Sequence, residues 1–492
     1  MNISMIRYIL GSVLKIESLL ILLPSIIGAI YQEKEGFAYL IISFICGTLG
    51  LIMTIKKPND NVFYLKEGCV ATALAWMTLS LFGAFPFLLT GEIPHFTDAI
   101  FETVSGFTTT GASILSDVEA LSHCSLFWRS FTHWVGGMGV LVFILAIIPM
   151  SGGSHINLMR AESPGPSVGK LVPHLRDTAR ILYLIYFGMT LLEIFFLLIG
   201  KMPLFEAICT SVGTAGTGGF GVKNDSIASY SPYIQWVVTI FMILFGINFN
   251  AFFFFVYRKF KKALFMEEVR YYIFIILGAI AIIFVNILNT TESVFKAITD
   301  SSFQVATIIT TTGFSTVDFD LWPTTSKGVL VLLMFIGACA GSTGGGIKVS
   351  RIVIMIKTIF KELNSYIHPK SIKKIYFEGK LVEHEVVRSI NVYFITFTIL
   401  FFTSVFIVTF KGRDLLTSFT AVAATINNIG PGLGDVGPTC NFGFFTPLSK
   451  WVMIFDMLAG RLELFPLLIL FHPVIWKDAI TQKVRKKHSK RI

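Results

Sequence analysis

The stretch PHFTDAIFETVSGFTTTGAS, residues 94–113, joins two patterns in one segment. Its first dozen residues form an amphipathic run, and its last residues are small or carry hydroxyl groups around a glycine, Gly111. The segment is more apolar than an ordinary loop, yet the run is too short to cross a hydrocarbon core of ~30 Å as a helix. We therefore expect a half-helix that leads into an extended strand.

The same plan occurs three more times along the chain. The corresponding glycines are Gly219, Gly313 and Gly430, at separations of 108, 94 and 117 residues from one to the next, so the repeat unit is about one hundred residues long. A repeat of this kind constrains the architecture more than any isolated motif does. The three further segments read PLFEAICTSVGTAGTGGFG (203–221), SVFKAITDSSFQVATIITTTGFST (293–316) and DLLTSFTAVAATINNIGPGLGD (414–435).

Non-helical backbone at membrane depth is tolerated only where it is buried in protein or lines a water-filled path. Four such strands around one axis would aim their carbonyl groups at a shared centre, and a ring of carbonyls replaces the hydration shell of a monovalent cation. The alternative is four outer loops that happen to contain threonine and glycine. The candidate filter residues, which would hold a metal ion at their backbone carbonyls, are Thr109, Thr110, Gly111, Thr217, Gly218, Gly219, Thr311, Thr312, Gly313, Asn428, Ile429 and Gly430.

The composition of the whole chain agrees with a membrane setting. Of the 492 residues, 54% are hydrophobic and only 14% are charged, whereas about 25% are charged in an average soluble domain. This excludes a soluble enzyme and a disordered chain. The six cysteines contain no CxxC pair, so neither a zinc signature nor a disulfide framework is visible. The net charge of +10 comes without a basic helix of the kind that binds nucleic acid.

Apolar stretches of about 20 residues predict ten transmembrane spans. Of the 40 lysine and arginine residues, 28 fall in one set of alternate loops and nine in the other, which places both termini in the cytoplasm and the four repeated segments on the outer side. The predicted spans are 9–31, 37–55, 68–90, 126–150, 178–200, 232–257, 270–290, 327–358, 387–410 and 447–473.

These spans predict an all-α polytopic membrane protein. It has four pseudo-repeats of helix, re-entrant pore loop and helix around one pore, preceded by an extra helix pair. The expected units are an N-terminal pair (1–66), four pore repeats (67–176, 177–262, 263–380 and 381–476) and a basic cytoplasmic tail (477–492).

The eighth span is interrupted by FIGACAGSTGGGIKVSR, residues 335–351. Four glycines in six residues are incompatible with a stable helix, because each costs about 1 kcal/mol relative to alanine. A loop at this point would cross the pore beneath the filter and act as a gate; the alternative is a flexible kink or a close helix-packing site. The candidate gate residues are Gly341, Ser342, Thr343, Gly344, Gly345, Gly346 and Lys348.

Arg461 lies well inside the last span, where a guanidinium group is costly and usually faces a cavity or a partner. Below a cation filter its positive charge would form a barrier to flow. The alternative is a structural ion pair with Asp456 or Glu463.

Five motifs resemble the Trk/Ktr/HKT superfamily of potassium transporters, and the ten spans resemble its bacterial TrkH/TrkG branch most. The resemblance implies potassium uptake through a fourfold pseudosymmetric pore, a homodimer in the bacterial inner membrane, and a cytosolic nucleotide-binding regulatory subunit of the TrkA type. It also implies that glycine at position 111 favours potassium over sodium. The motifs are FETVSGFTTTGAS (101–113), HWVGGMG (133–139), TTTGFST (310–316), AGSTGGGIKVSR (340–351) and NNIGPGLGDVGP (427–438).

Two other classes of function stay open beside a pore. A secondary transporter with alternating access would show discontinuous helices in two related halves, and symport with a second ion is compatible with the family. A membrane enzyme would need convergent catalytic groups, and the sequence offers none. A nucleotide would bind the partner rather than this chain, because Ile347 separates the last glycine of GSTGGG from the lysine that a phosphate-binding loop requires.

Overall fold

The computed structural model describes residues 1–58, 64–139, 175–370, 373–410 and 412–477. Part of the predicted first repeat, with Arg160 and Lys170 of its basic loop, and the predicted tail beyond Lys477 lie outside these ranges. Among the described residues the protein is mostly helical. A two-stranded antiparallel hairpin, β1 (Tyr376–Phe377) and β2 (Lys380–Leu381), stands between two of the helices.

Six helices are long and apolar enough to cross a membrane in the part of the chain that the structure describes. They coincide with six of the ten predicted spans. These helices are α1 (Ile3–Tyr31), α2 (Gly36–Thr54), α3 (Leu65–Thr90), α6 (Leu175–Ile199), α11 (Glu267–Ile287) and α15 (His384–Thr409).

The predicted N-terminal pair, α1 and α2, packs lengthwise. Two serines exchange hydrogen bonds across it: the Ser18 hydroxyl donates to the Ser43 carbonyl at 2.8 Å, and the Ser43 hydroxyl donates to the Ser18 carbonyl at 2.7 Å. In an apolar setting such reciprocal bonds satisfy polar groups that lipid would leave unpaired. A hydrogen bond of 2.8 Å between the hydroxyls of Tyr39 and Ser125 ties the pair to the rest of the molecule.

Each of the four repeated segments begins with a short helix, as expected. These half-helices have 12, 13, 16 and 12 residues. At ~1.5 Å per residue they are about 18–24 Å long, shorter than a bilayer core of ~30 Å. They are α4 (Phe96–Phe107), α7 (Leu204–Gly216), α12 (Val294–Ile309) and α16 (Leu415–Ile426).

The helix that follows each repeated segment is also short, at 12 to 15 residues. The expectation of long continuous spans at 232–257 and 447–473 is therefore wrong, and only the break in the eighth span was predicted. For the span predicted at 126–150 the helix ends at Gly137, and residues 140–150 lie outside the described ranges. The four short helices are α5 (His123–Gly137), α8 (Pro232–Phe245), α13 (Thr324–Phe335) and α17 (Pro447–Arg461).

The chain continues beyond these breaks as separate helices. α8 is followed by α9 (Phe249–Val256) at a bend of 92°, and α13 is separated from α14 (Val349–Ile367) by residues 336–348, which we call the glycine loop. α17 ends where two consecutive non-glycine residues, Glu463 and Leu464, take positive φ values of 54° and 68°. The remaining α-helices of the described ranges are α10 (Phe260–Leu264) and α18 (Phe465–Leu468).

Candidate functional site

The four half-helices end in the same way. At each end one amide donates to the carbonyl five residues back, and the preceding amide donates to the carbonyl three residues back; in α4 these bonds are Thr110 to Ser105 (2.8 Å) and Thr109 to Gly106 (3.1 Å). This pair of bonds is the Schellman motif, which satisfies two carbonyls that a helix end would leave unpaired. The other three five-residue bonds are Gly218 to Gly213 (2.9 Å), Thr312 to Thr307 (2.8 Å) and Ile429 to Ala424 (2.8 Å).

The motif requires a residue with positive φ, a position that glycine usually takes. Here threonine or asparagine takes it in every repeat, at φ values of 56°, 55°, 57° and 56°, and a glycine with positive φ follows two residues later. Each repeat therefore has a turn of three residues in the same backbone shape. We call these the four central turns: Thr109–Gly111, Thr217–Gly219, Thr311–Gly313 and Asn428–Gly430.

The four central turns touch one another in cyclic order. A Cβ atom built on Gly111 would lie 2.1 Å from the Gly218 carbonyl oxygen, far inside any real contact. The equivalent position on each later glycine meets the carbonyl of the next turn, and the fourth returns to the first. The remaining distances are 2.0 Å from Gly219 to the Thr312 oxygen, 2.3 Å from Gly313 to the Ile429 oxygen and 2.9 Å from Gly430 to the Thr110 oxygen. Four carbonyls thus form a ring that leaves no room for a side chain at the glycines.

A cavity of about 200 Å³ opens on one side of this ring and is lined by all four glycines. The central turns contain no carboxylate, so the charge that they present comes from carbonyl oxygens. The C-terminal ends of the four half-helices add partial negative charge, equivalent to roughly half an elementary charge each. A dehydrated cation is the ligand that such a ring of oxygens fits.

The side chains of the central turns face away from solvent and brace the ring. Hydroxyl pairs bond within the first and third repeats, Thr108 with Thr110 at 2.8 Å and Thr310 with Thr312 at 2.7 Å. The amide of Asn428 donates to the Thr110 hydroxyl at 2.9 Å, which links the fourth turn to the first. All five side chains are fully buried.

The glycine loop lies directly against the third central turn, because the Gly345 amide donates to the Thr311 hydroxyl at 2.6 Å. The loop closes on itself through the Gly337 amide, which donates to the Ile347 carbonyl at 2.8 Å. It also completes the break between α8 and α9: the Phe249 amide donates to the Gly341 carbonyl at 3.0 Å. The loop is therefore a hydrogen-bonded element in direct contact with the central turns.

Both basic residues singled out in the sequence contact this loop. Arg461 donates to the Thr343 carbonyl at 2.9 Å and, from its other terminal nitrogen, to the carbonyls of Gly136 (2.5 Å) and Gly137 (2.7 Å). The Lys348 ammonium donates to the carbonyls of Gly344 and Gly345. Arg461 therefore joins the end of the first repeat's short helix to the gate candidate in the third.

The two carboxylates proposed as ion-pair partners of Arg461 are engaged elsewhere. Glu463 forms a buried ion pair with Arg351, and Asp456 accepts a hydrogen bond of 2.8 Å from the Ser404 hydroxyl. The contacts of Arg461 with three backbone carbonyls are of a kind that residue spacing does not reveal, because they join parts of the chain more than one hundred residues apart.

Glu268 is a functional candidate that the sequence did not reveal. Its carboxylate is 2% exposed and accepts hydrogen bonds from the Ala340 amide (2.7 Å), the Ser350 amide (3.2 Å) and the Asn248 side chain (3.1 Å). One buried carboxylate therefore links the glycine loop, the first turn of α14 and the start of α9. The one available signal was a pair of acidic residues, EE, immediately before an apolar span.

Known proteins resemble this chain over nearly its whole length, both in sequence and in structure. The family described as TrkH, cation transport protein, matches residues 33–483. The Trk system potassium uptake proteins TrkH of Salmonella typhimurium and TrkG of Escherichia coli are each 34% identical over 486 residues, covering 97% of this chain and 100% and 99% of theirs. The crystal structure of the potassium transporter TrkH from Vibrio parahaemolyticus superposes with a TM-score of 0.87 at 32% identity, covering 97% of this chain and all of that one.

Proposed function

Because the chain belongs to the TrkH family of cation transport proteins, we propose that it takes up potassium across the bacterial inner membrane through a pore with a carbonyl filter. The family is one of transporters, so the chain is not an enzyme. The observation that carries the mechanism is the cyclic contact of the four central turns, each glycine meeting the carbonyl of the next turn.

In this mechanism potassium sheds its water at the ring and is held by the carbonyls of the four central turns. The ring has no formal charge, so the ion is bound weakly enough to leave. The membrane potential supplies about 2.3 kcal/mol per charge per 100 mV, so uptake needs no bound chemical fuel. The N-terminal pair, the four pore repeats and the cytoplasmic placement of both termini are part of this proposal.

The glycine loop is the proposed gate, with Lys348 holding its shape and Arg461 as the charge barrier. Support comes from the contact of the loop with Thr311 and from the bond between Arg461 and the Thr343 carbonyl. A loop in this position lies across the path of an ion that leaves the ring, and a guanidinium beside it repels a cation.

The relatives are named as parts of a Trk system. We propose that this chain works likewise as a homodimer with a cytosolic TrkA-like subunit, which binds the regulatory nucleotide. Opening then consists of pulling the glycine loop away from the ring.

The test is potassium and sodium flux through the purified full-length chain in liposomes, with the regulatory subunit added. The wild type is compared with Gly111→Ser, whose side chain would begin 2.1 Å from the Gly218 oxygen. The matched control is Gly278→Ser, since a side chain at that exposed position of α11 meets nothing within 4 Å. We expect the wild type and the control to prefer potassium and Gly111→Ser to lose that preference. Equal selectivity in all three proteins would refute the carbonyl filter.

A further inference from the structure

The second central turn lacks a side chain that its counterparts have. Its middle residue is Gly218, where the first, third and fourth turns have Thr110, Thr312 and Ile429. Backbone conformation does not explain this glycine, because Gly218 is absent from the positions with positive φ, in contrast to Gly219 next to it. Space must therefore explain it.

The imidazole of His133 occupies that space. A Cβ built on Gly218 would lie 2.1 Å from both Cγ and Nδ1 of His133, and 2.5 Å from Cδ2. The ring is fully buried and lies 4.3 Å, centroid to centroid, from the ring of Phe220. A histidine of the first repeat thus stands where the second turn has no side chain of its own.

The hydrogen bonds of His133 determine its orientation and its tautomer. Nδ1 lies 2.8 Å from the Gly106 carbonyl, which only accepts, so Nδ1 carries the proton. Nε2 is then free to accept the Phe220 amide, which donates to it at 3.3 Å. A neutral imidazole therefore spans from the end of the first half-helix to the residue that follows Gly219.

Arg129, one helical turn earlier on α5, supports the same segment. Its guanidinium lies 4.1 Å from the centroid of the Phe220 ring, donates to the Gly221 carbonyl at 3.4 Å, and pairs with buried Glu102 at 2.8 Å. Residues four apart share one face of a helix. One face of α5 thus braces the second central turn against the first half-helix.

Resting on the carbonyl filter proposed above, we propose that His133 is the positioning residue of the second central turn and a determinant of ion selectivity. It touches no permeating ion. It acts by fixing Gly218, whose carbonyl contacts Gly111 in the ring. In the first and third repeats a threonine pair braces the ring from within, and His133 does this from outside for the second. Filter oxygens select among ions by where they are held, so a loosened Gly218 widens the cage for hydrated or smaller ions.

The experiment measures the potassium-to-sodium flux ratio of full-length protein in liposomes with the regulatory subunit. We expect His133→Ala to lower the ratio by about 3- to 10-fold, in line with the loss of one or two buried hydrogen bonds. The flux ratio of His133→Asn, which retains a donor for the Gly106 carbonyl, should lie between those of the wild type and His133→Ala. His123→Ala is the matched control, because His123 lies at the far end of α5 and bonds Glu33 instead.

A double variant separates positioning from packing alone. Gly218→Thr by itself places a side chain into the imidazole and should be the most damaging change. In the pair His133→Ala with Gly218→Thr, the threonine enters the space that the ring has left, so selectivity should recover above that of either single variant. Recovery supports the proposal, and a pair no better than the worse single variant contradicts it.

The variants Gly111→Ser and His133→Ala together distinguish a failure of the carbonyl filter from a failure of the positioning role of His133. If Gly111→Ser loses selectivity while folded His133→Ala keeps that of the wild type, the positioning role is wrong and the filter stands. If both variants keep the selectivity of the wild type, the filter itself is wrong. If His133→Ala does not yield monodisperse protein, the flux ratios of His133→Asn and of the double variant test the positioning role instead.

Discussion

The four central turns and the glycine loop lie in contact, yet they are built on opposite plans. The turns are four copies of one backbone shape, with the same pair of hydrogen bonds and the same sequence of positive φ values. The glycine loop occurs once, and single residues of unlike kinds hold it: Glu268 at Ala340, Lys348 from within the loop and Arg461 at Thr343.

In the proposed function, this difference corresponds to two physical tasks, selection of the ion and control of its flow. A spherical ion needs oxygens on every side, so the ring gains from repetition. A barrier that opens and closes needs one element that moves, and it gains from being unlike its surroundings. Substitutions in the turns should therefore change which ion passes, whereas substitutions around the loop should change how much passes.

The largest effect is expected at Gly219. In Gly219→Ala the new methyl group would lie 2.0 Å from the Thr312 oxygen at a φ of 77°, so both space and backbone oppose it. We expect potassium selectivity to be lost. The matched change Gly430→Ala places its methyl group 2.9 Å from the Thr110 oxygen and should retain more of it. The flux ratio of potassium to sodium measures both, and equal loss in the two would show that the positive φ shared by both glycines, rather than the distance to the next carbonyl, decides the effect.

Arg461→Gln should have the next largest effect, on the amount of flux. A unit charge at ~8 Å from a permeating ion, in an effective dielectric of ~20, costs roughly 2 kcal/mol, which corresponds to about 30-fold in rate. We expect potassium flux without the regulatory subunit to rise by up to this factor while the selectivity stays that of the wild type. Arg413→Gln, at an exposed site beside Asp435, is the control. A change in selectivity, or no rise in flux, would contradict the barrier.

Glu268→Gln tests the anchor of the loop with a smaller effect. The amide keeps the size of the side chain but loses the charge that accepts the Ala340 and Ser350 amides. Hydrogen bonds to a charged group are worth about 1.5–3 kcal/mol, and weakening them should raise basal flux severalfold. The measurement is potassium flux with and without the regulatory subunit; a variant that stays closed would show that the loop is held by its other contacts.

Much of the central architecture could be predicted from sequence because it repeats. The half-helices and the glycines at Gly111, Gly219, Gly313 and Gly430 follow from composition and spacing. The sequence did not reveal that threonine or asparagine takes a positive φ at the end of each half-helix, because the Schellman motif usually has glycine at that position. The breaks in the spans at 232–257 and 447–473 were missed; after α17, for example, the positive φ values belong to Glu463 and Leu464, which are not glycines.

The contacts of single residues could not be predicted, since each joins distant parts of the chain. The side-chain amide of Asn248, for example, donates to the carboxylate of Glu268 on α11. The two ring nitrogens of His133 join the first half-helix to Phe220, the residue that follows the second central turn. Which carbonyl a side chain meets depends on how the repeats assemble, and spacing along the chain carries no record of that.

The smallest effect is expected at the N-terminal ends of the half-helices, which are capped differently although the C-terminal ends share one motif. Asp414 caps the start of α16, because its carboxylate accepts a hydrogen bond from the Thr417 amide at 3.0 Å, whereas Pro203 before α7 offers no side-chain cap. Losing this cap in Asp414→Ala should cost about 1 kcal/mol of unfolding free energy, and Asp414→Asn much less, because asparagine caps equally well. Thermal unfolding in detergent measures this, and ion selectivity should be unchanged.

The pH dependence of protein stability provides a second test of the Asp414 cap. Hydrogen bonds from the side chain and backbone amide of Thr417 hold the pKa of this exposed carboxyl below its ordinary value of 3.8. A carboxyl whose pKa is lower in the folded state stabilises above the pKa of the unfolded chain, and this contribution is lost as the pH falls through the folded pKa. The free energy of unfolding of the wild type should therefore exceed that of Asp414→Asn by a small amount above about pH 4, and this difference should disappear below it. A difference that grows in acid would mean that the carboxylate is repelled rather than bound, and that the outer end of α16 is shaped by something other than this cap.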